Sequence, residues 1–377
     1  MSAATYDVVI VGAGVVGAAC AAECARQGLR AAIVDRGEVG GGATAAGMGH
    51  IVVMDDSEAQ FALTRFSQQL WQELRSDLPA DVEYESCGTI WVATDEEEML
   101  EVRRKQDYYS QRGVPVSVLS SEELERVEPN LRKGMAGGLL VPEDIVLYPP
   151  CAAQFLLERA QTAGAEVYLG PVVVRIGQGR VRLEDGTEFS AAKIVNATGA
   201  WAAELTPGLD IKKRKGHLVI TDRYPGFVRH QLVELGYLKS ARSAAGDSVA
   251  FNVQPRKTGQ LLIGSSRQYD AEHKEVDNAI LRRMMQRAQE YMPGLAQTSA
   301  IRVWTGFRAT TSDKLPLIGP WPSDPTVYLA TGHEGLGIAT SLATARLLID
   351  QVVGNSPAIP VEPYLPSRAA SMEHAHA

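Results

Sequence analysis

Cysteine is scarce: four residues in a chain of 377, namely Cys20, Cys24, Cys87 and Cys151. So few, so widely spaced, exclude a disulfide framework and fit a reducing cytoplasm. Cys20 and Cys24 lie four apart on an expected helix and read as a buried pair of small apolar side chains. No apolar run approaches the ~18 residues that span a membrane. The first apolar run, Val8 to Val11, ends in a glycine loop, unlike a secretory signal; a soluble, cytoplasmic protein is expected. Positive charge is in deficit, with 37 Lys and Arg against 45 Asp and Glu and a net charge of -8. That balance argues against general binding of nucleic acid or anionic membranes and leaves room only for a local basic pocket. No His or Cys cluster has zinc spacing, so no metal is expected. His374 and His376 belong to a tail beyond Pro366 that reads as disordered.

What is present is ordinary for a globular protein, with 45% hydrophobic and 22% charged residues. The length exceeds one hydrophobic core, so two domains are expected. The chain opens as strand, glycine turn, helix and strand. Asp7 to Val11 is the continuous apolar run of a central parallel strand. Val15 to Gln27 is an Ala-rich helix closed by Gly28, and Arg30 to Val34 leads to Asp35.

A glycine-rich stretch, Gly37 to Gly49, precedes a helical pattern from Ser57 to Leu78. Short β-prone runs and charged helices then occupy 82–141, as in Gly88 to Thr94 and Asp95 to Gln111. Pro149 to Ala163 resumes a helix, Ala165 to Leu169 is a strand, and Val172 to Phe189 reads as a hairpin turning at Asp185-Gly186. Lys193 to Ala197 is another buried strand. Strands at Leu218 to Thr221, Val249 to Val253 and Leu261 to Ser265 follow, interrupted by a helix over Val276 to Tyr291. The end returns to the first style, with a strand at Thr326 to Ala330 and an apolar helix over Leu336 to Val353. The expected architecture is α/β: a discontinuous Rossmann-like domain over 1–81, 142–209 and 311–377, with an antiparallel sheet domain over 82–141 and 210–310 inserted twice.

Gly12-Ala-Gly14-Val-Val-Gly17 sits between strand and helix, as a dinucleotide fingerprint requires. Gly12 permits the tight turn, Gly14 the approach of a pyrophosphate, and Gly17 close packing of helix on strand. The phosphates would meet the positive end of the helix dipole, and Asp35 is placed to accept from ribose hydroxyls. These residues alone leave FAD and NAD both open.

The rest of the chain supplies a resemblance. Gly40-Gly-Gly-Ala-Thr44-Ala45-Ala46-Gly47-Met48-Gly49 resembles the flavin-approach loop of the D-amino-acid oxidase and glycine oxidase family. Asn196-Ala197-Thr-Gly199-Ala-Trp201 resembles its second dinucleotide-contacting strand end. Trp304-Thr-Gly306-Phe-Arg308 with Asp313-Lys-Leu-Pro316-Leu-Ile-Gly319, then Thr331-Gly-His333-Glu334-Gly335-Leu336-Gly337-Ile338, resemble its late signatures, in the family's order. Within the family, Ala45-Ala-Gly-Met-Gly-His50 and Gln254-Pro-Arg256 are most like bacterial D-hydroxyproline dehydrogenases and their glycine-oxidase relatives.

The resemblance implies a glutathione-reductase-like FAD-binding domain with an inserted antiparallel substrate domain. It places FAD against Gly12, Gly14, Val15, Val16, Gly17, Asp35 and Arg36, and against the loop Thr44, Ala45, Ala46, Gly47 and Met48. Val173, Ala197, Gly199, Trp201, Gly306, Arg308, Gly335, Leu336, Gly337 and Ile338 complete the expected contacts. Arg308 becomes the clamp for a substrate carboxylate, with Met48, Asn252, His333 and Glu334 beside it; His50 is a further polar neighbour, and for these polar groups a structural role stays open. The amides around Gly335 to Gly337 would stabilise charge on the flavin edge. No general base is evident. Related glycine oxidases carry Tyr at the position of Asn252 and Arg at that of Gly335, which puts glycine itself in doubt as substrate. Monomeric sarcosine oxidases carry an oxygen-activating Lys where Leu262 stands and a late flavin-linking Cys, whereas here none follows Cys151; FAD is therefore expected to be non-covalent.

The expected function is oxidation of the C–N bond of a small D-amino or cyclic imino acid, such as cis-4-hydroxy-D-proline, to the imine. Alternatives are a glycine or sarcosine type oxidase releasing hydrogen peroxide, and a non-catalytic flavin-binding subunit. An electron acceptor, partner subunits and a homo-oligomer are left open, and pocket shape is expected to depend on the loop near Tyr237 to Gly246. Lys212-Lys-Arg-Lys215 reads as a solvated strand edge.

Overall fold

The computed structural model describes residues 5–236, 246–269 and 271–368. Most of the expected pocket loop, 237–245, and the tail with His374 and His376 lie outside the described residues. No described helix is long and apolar enough to cross a membrane. Two sheets dominate, of eight and nine strands, with a two-stranded ribbon between His50–Ile51 and Ile145–Val146.

The first sheet centres on Thr5–Val11, flanked in parallel by Ala31–Asp35 and Glu188–Asn196. Val8, Val9 and Ile10 are fully buried, as a strand covered on both faces must be. Glu166–Leu169 extends the sheet beyond Ala31–Asp35, and Asp324–Thr331 beyond Glu188–Asn196. One face is covered by three helices, Val15–Arg26, Pro149–Thr162 and Gly337–Val353. Their contact surfaces are small side chains (Ala18, Cys20, Ala21, Cys24, Ala152, Ala153, Ala343), which let the helices approach closely. Cys20 and Cys24 are thus the apolar pair that the sequence suggests.

The expected hairpin over Val172 to Phe189 is instead a three-stranded meander. Val173–Gly177 turns at Gln178 and Gly179, whose φ values of 49° and 70° make the first bend, into Arg180–Leu183. Only the second bend uses Asp185 and Gly186, and it leads into the single long strand Glu188–Asn196. The buried parallel strand and the hairpin's last strand are therefore one element.

The second sheet runs His333–Glu334, Ala300–Thr310, Lys212–Arg223, Gln260–Arg267, Ser248–Pro255, Gln231–Glu234, Thr89–Ala93, Gly137–Val141 and Ser117–Ser120. It is antiparallel except where Gln231–Glu234 pairs with Thr89–Ala93. Side chains alternate across it. Phe251 and Val253 face the helix Asn278–Tyr291, with Phe251 stacked on Tyr291 at 4.4 Å, while the intervening Asn252 faces a cavity.

The basic run Lys212 to Lys215 corrects the reading of a solvated edge. Its strand is hydrogen-bonded on both sides, to Ala300–Thr310 and to Gln260–Arg267. Arg214 and Lys215 are buried. Lys215 donates to the Glu275 carbonyl at 3.1 Å, and Arg214 to Glu334 at 2.7 Å. Strand pairing came from the Ala300–Thr310 segment, which carries no alternating pattern strong enough to announce itself.

Candidate active site

A cavity of about 670 Å³ lies between the two sheets, reaching from the first glycine turn to the face of the second sheet. Its nucleotide end is built by glycine. Gly12 has φ +110°, and a Cβ there would stand 2.6 Å from the Ala197 carbonyl oxygen. A Cβ on Gly17 would stand 1.8 Å from the Gly12 carbonyl oxygen, so this position is closed to any side chain. Thr44 Oγ1 accepts from the Val15 amide at 3.0 Å, pinning the flavin-type loop to the start of the helix. Asp35 accepts from the amides of Ala13 at 2.6 Å and Gly37 at 2.7 Å, which fixes its carboxylate at the cavity wall.

Farther along this end, the Arg36 guanidinium lies 5.2 Å from the Trp201 ring, with Val173 also on the wall. The strand end before Trp201 is held by Asn196, whose Nδ2 donates to the Ala202 carbonyl and Thr206 Oγ1, both at 2.9 Å. An FAD fits these residues: a side-chain-free turn at a helix N-terminus for the pyrophosphate, an acid for the ribose, and a long cavity ending at the loop Thr44 to Gly49.

That loop is seated on the second sheet through two missing side chains. A Cβ on Gly306 would collide with Ala46 Cβ at 2.2 Å, and one on Gly264 would press on Met48 Sδ at 3.2 Å. Trp304 Nε1 donates to the Ala45 carbonyl at 3.1 Å and Gln254 Nε2 to the Met48 carbonyl at 2.6 Å. Beneath the loop, Met48, Leu218, Ile220 and Leu262 form a small apolar cluster with Trp304 against it.

Arg308 projects from Ala300–Thr310, opposite Arg214 in the neighbouring strand. It donates to the Ser266 carbonyl at 2.8 Å and its guanidinium lies over the bare Cα of Gly216. Glu334, at φ +55°, is ion-paired to Arg214 at 2.7 Å and Arg267 at 3.5 Å and accepts from Thr310. Burial alone would raise the Glu334 pKa, but Arg308, Arg214 and Arg267 together hold it below the usual range. Both its oxygens are thus engaged, Oε1 by Arg214 and Arg267 and Oε2 by the Thr310 hydroxyl.

His50 is pushed down to about 4 by burial and by Arg308. His333 is pushed down to about 4 by burial, its Nε2 lying 3.0 Å from Thr344 Oγ1. His217 is lowered by burial and by Lys215; its Nε2 accepts from the Asp277 amide at 3.0 Å. All three rings are neutral and weakly basic at neutral pH. Among the described residues no group of three His, Cys, Asp or Glu could hold a metal ion.

Of the expected FAD contacts and substrate-side residues, all but Gly17 and Ala45 line the cavity. Gly17 acts behind it, in helix packing, and Ala45 through the carbonyl bonded to Trp304. Sequence reasoning missed Gly216, Arg214, Arg267 and Trp91. A glycine inside an otherwise continuous strand signals close approach of another group, so Gly216 was readable. Arg214 was visible only within the basic run Lys212 to Lys215, and nothing in the sequence marks Arg267 or Trp91.

The family model of the FAD dependent oxidoreductases matches residues 7–351. The chain is 30% identical to a glycine oxidase of Geobacillus kaustophilus, over 95% of this chain and 96% of that one. It is 29% identical to the hydrogen cyanide synthase subunit HcnC of Pseudomonas aeruginosa, over 97% and 96% of the two chains. The crystal structure of the glycine oxidase from Geobacillus kaustophilus superposes with a TM-score of 0.86 at 29% identity, covering 97% of this chain and 99% of that one.

Proposed function

This chain belongs to the family of FAD dependent oxidoreductases, and on that premise we propose that it oxidises the C–N bond of a small D-amino or cyclic imino acid, such as cis-4-hydroxy-D-proline, to the imine. The observation that carries the reading is Arg308, held over Gly216 and facing the same cavity as the loop Thr44 to Gly49. A planar guanidinium pairs bidentately with a carboxylate and so fixes the α-carbon. FAD, when bound, supplies the acceptor for the α-hydrogen and its electron pair. We assign its contacts to the residues named from the resemblance, and the division into FAD and substrate domains to the boundaries given there.

The residues around the reacting carbon orient rather than exchange protons. Arg308 draws the carboxylate, and Glu334 offsets the positive charge of Arg214 and Arg267 so that one end of the cavity is not overloaded. His50 and His333 stay neutral. The amine therefore binds unprotonated: its nitrogen lone pair becomes the second C–N bond as the α C–H bond breaks, and the remaining N–H proton leaves later to water.

Product analysis tests the proposal. D-proline or cis-4-hydroxy-D-proline is expected to give a cyclic imine that condenses with o-aminobenzaldehyde; absence of any imine or keto acid from a panel of amino acids contradicts it. A second reading, a glycine oxidase type activity releasing peroxide, is favoured by the glycine oxidase relative. Glyoxylate and peroxide formed from glycine in air would decide for it. The likeness to a protein named as a subunit supports a partner subunit as the electron acceptor in the first reading, in keeping with Leu262 in the apolar cluster under the loop.

A further inference from the structure

Val233 is paired with Asn252 on one flank and with Trp91 on the other. Laterally paired residues share a sheet face, and all three line the cavity. The row continues from Asn252 to Gly264, the position on which Met48 rests, so it forms the cavity floor beside the flavin-type loop. The backbones of Trp91 and Asn252 are about 10 Å apart, two strand spacings.

The row is chemically uneven. Val233 is apolar, whereas its neighbours each carry one buried polar atom without a partner among the described residues. Asn252 is 7% and Trp91 3% exposed, and Asn252 Oδ1 and Trp91 Nε1 have no hydrogen-bond partner among the described residues. Buried polar atoms are nearly always paired, so an orphaned acceptor and an orphaned donor on one cavity wall call for a ligand group. A hydroxyl can meet both demands, donating its hydrogen to Asn252 and accepting from Trp91.

We propose that Asn252, Val233 and Trp91 form the subsite for the substrate's side chain and select amino or imino acids bearing a hydroxyl. Val233 packs against the carbon skeleton while the hydroxyl satisfies the two polar groups. A substrate without it leaves both buried atoms unpaired, which is how sites built for a hydroxyl reject the analogue lacking one. The inference rests on the reading that an amino acid is oxidised in this cavity, and it adds Trp91 and Val233 to the residues that decide which.

The test compares kcat/KM for cis-4-hydroxy-D-proline with D-proline, and for D-serine with D-alanine, in the wild type, Asn252→Leu and Trp91→Phe, each checked for full flavin content. The wild type is expected to favour the hydroxylated member of at least one pair by tenfold or more. In each variant that preference shrinks by about tenfold, the size of one lost buried hydrogen bond. A wild type that turns over amino acids without preference for the hydroxyl overturns this inference alone, as does a preference that survives both variants. If no amino acid is turned over at all, the underlying reading falls and this inference with it.

Discussion

Arg308 lies against Gly216 so closely that a Cβ on the glycine would stand 2.7 Å from Nη1 and 3.0 Å from Cζ. A Cβ on Gly335 would stand 3.3 Å from Arg308 Nε. The arginine thus lies in a slot bordered by two glycines, whose lack of side chains sets where its fork meets a carboxylate. Gly216→Ala should tilt the guanidinium while leaving the nucleotide end untouched. The KM for an amino-acid substrate is expected to rise about tenfold to a hundredfold, the range for a misplaced charge-assisted pair, with flavin content unchanged. An unaltered KM would show that the slot does not set the arginine's orientation.

The pH dependence of the reaction follows from the neutral rings in the cavity. With His50 and His333 held at about 4, neither ring gains or loses charge near neutrality. The rate of flavin reduction should rise with pH along the ionisation of the substrate's own amine. Replacing one substrate by another of lower amine pKa should shift the profile by the same amount. A profile fixed in position whatever the substrate would mean that an enzyme group is the proton acceptor.

Stability should carry two opposed pH signatures. His333 titrates at about 4 when folded against 6.5 when exposed, so its contribution is complete above 6.5 and is lost as pH falls toward 4. Asp144, fully buried with one oxygen lacking a partner among the described residues, titrates at about 7 folded against 3.8 exposed. Its contribution is complete below 3.8 and is lost as pH rises through 7. Melting temperatures across pH 4 to 8 should therefore fall less steeply toward acid in His333→Gln, and less steeply toward alkali in Asp144→Asn. Parallel curves for wild type and variants would contradict both assignments.

At the first turn, Gly17→Ala is expected to abolish the flavin-loaded protein, because the added methyl meets a carbonyl oxygen at 1.8 Å and must separate helix from strand. The ratio of flavin to protein after purification reads this directly. A stoichiometric yellow protein would show that the turn can yield.

Much of this was legible in the chain because short-range chemistry dictates it. Gly12 and Gly17 stand in a turn that admits no side chain at either position, and Asp95, Ser57 and Asp277 cap the helices they precede. The strand, turn and acid therefore stood where the sequence suggested. Long-range pairing was another matter. Lys215 reads as surface in its own segment and is buried only because Phe307 pairs with it on one side and Gln268 on the other. Trp91 faces the cavity because Gln231–Glu234, a four-residue strand with no alternating pattern, joins it to Asn252. Glu334 could be marked as polar near the site, but its engagement by Arg214 and Arg267 depends on a register that no local signal encodes.

The most direct test of the central claim is anaerobic mixing of the purified protein with cis-4-hydroxy-D-proline, D-proline, glycine, sarcosine and D-alanine, following the flavin absorbance band. The account predicts rapid bleaching by the cyclic D-imino acids and at least a hundredfold slower bleaching in Arg308→Lys, where the bidentate fork is lost. A band that no amino acid bleaches would contradict it and leave a flavin-binding chain without amino-acid chemistry of its own.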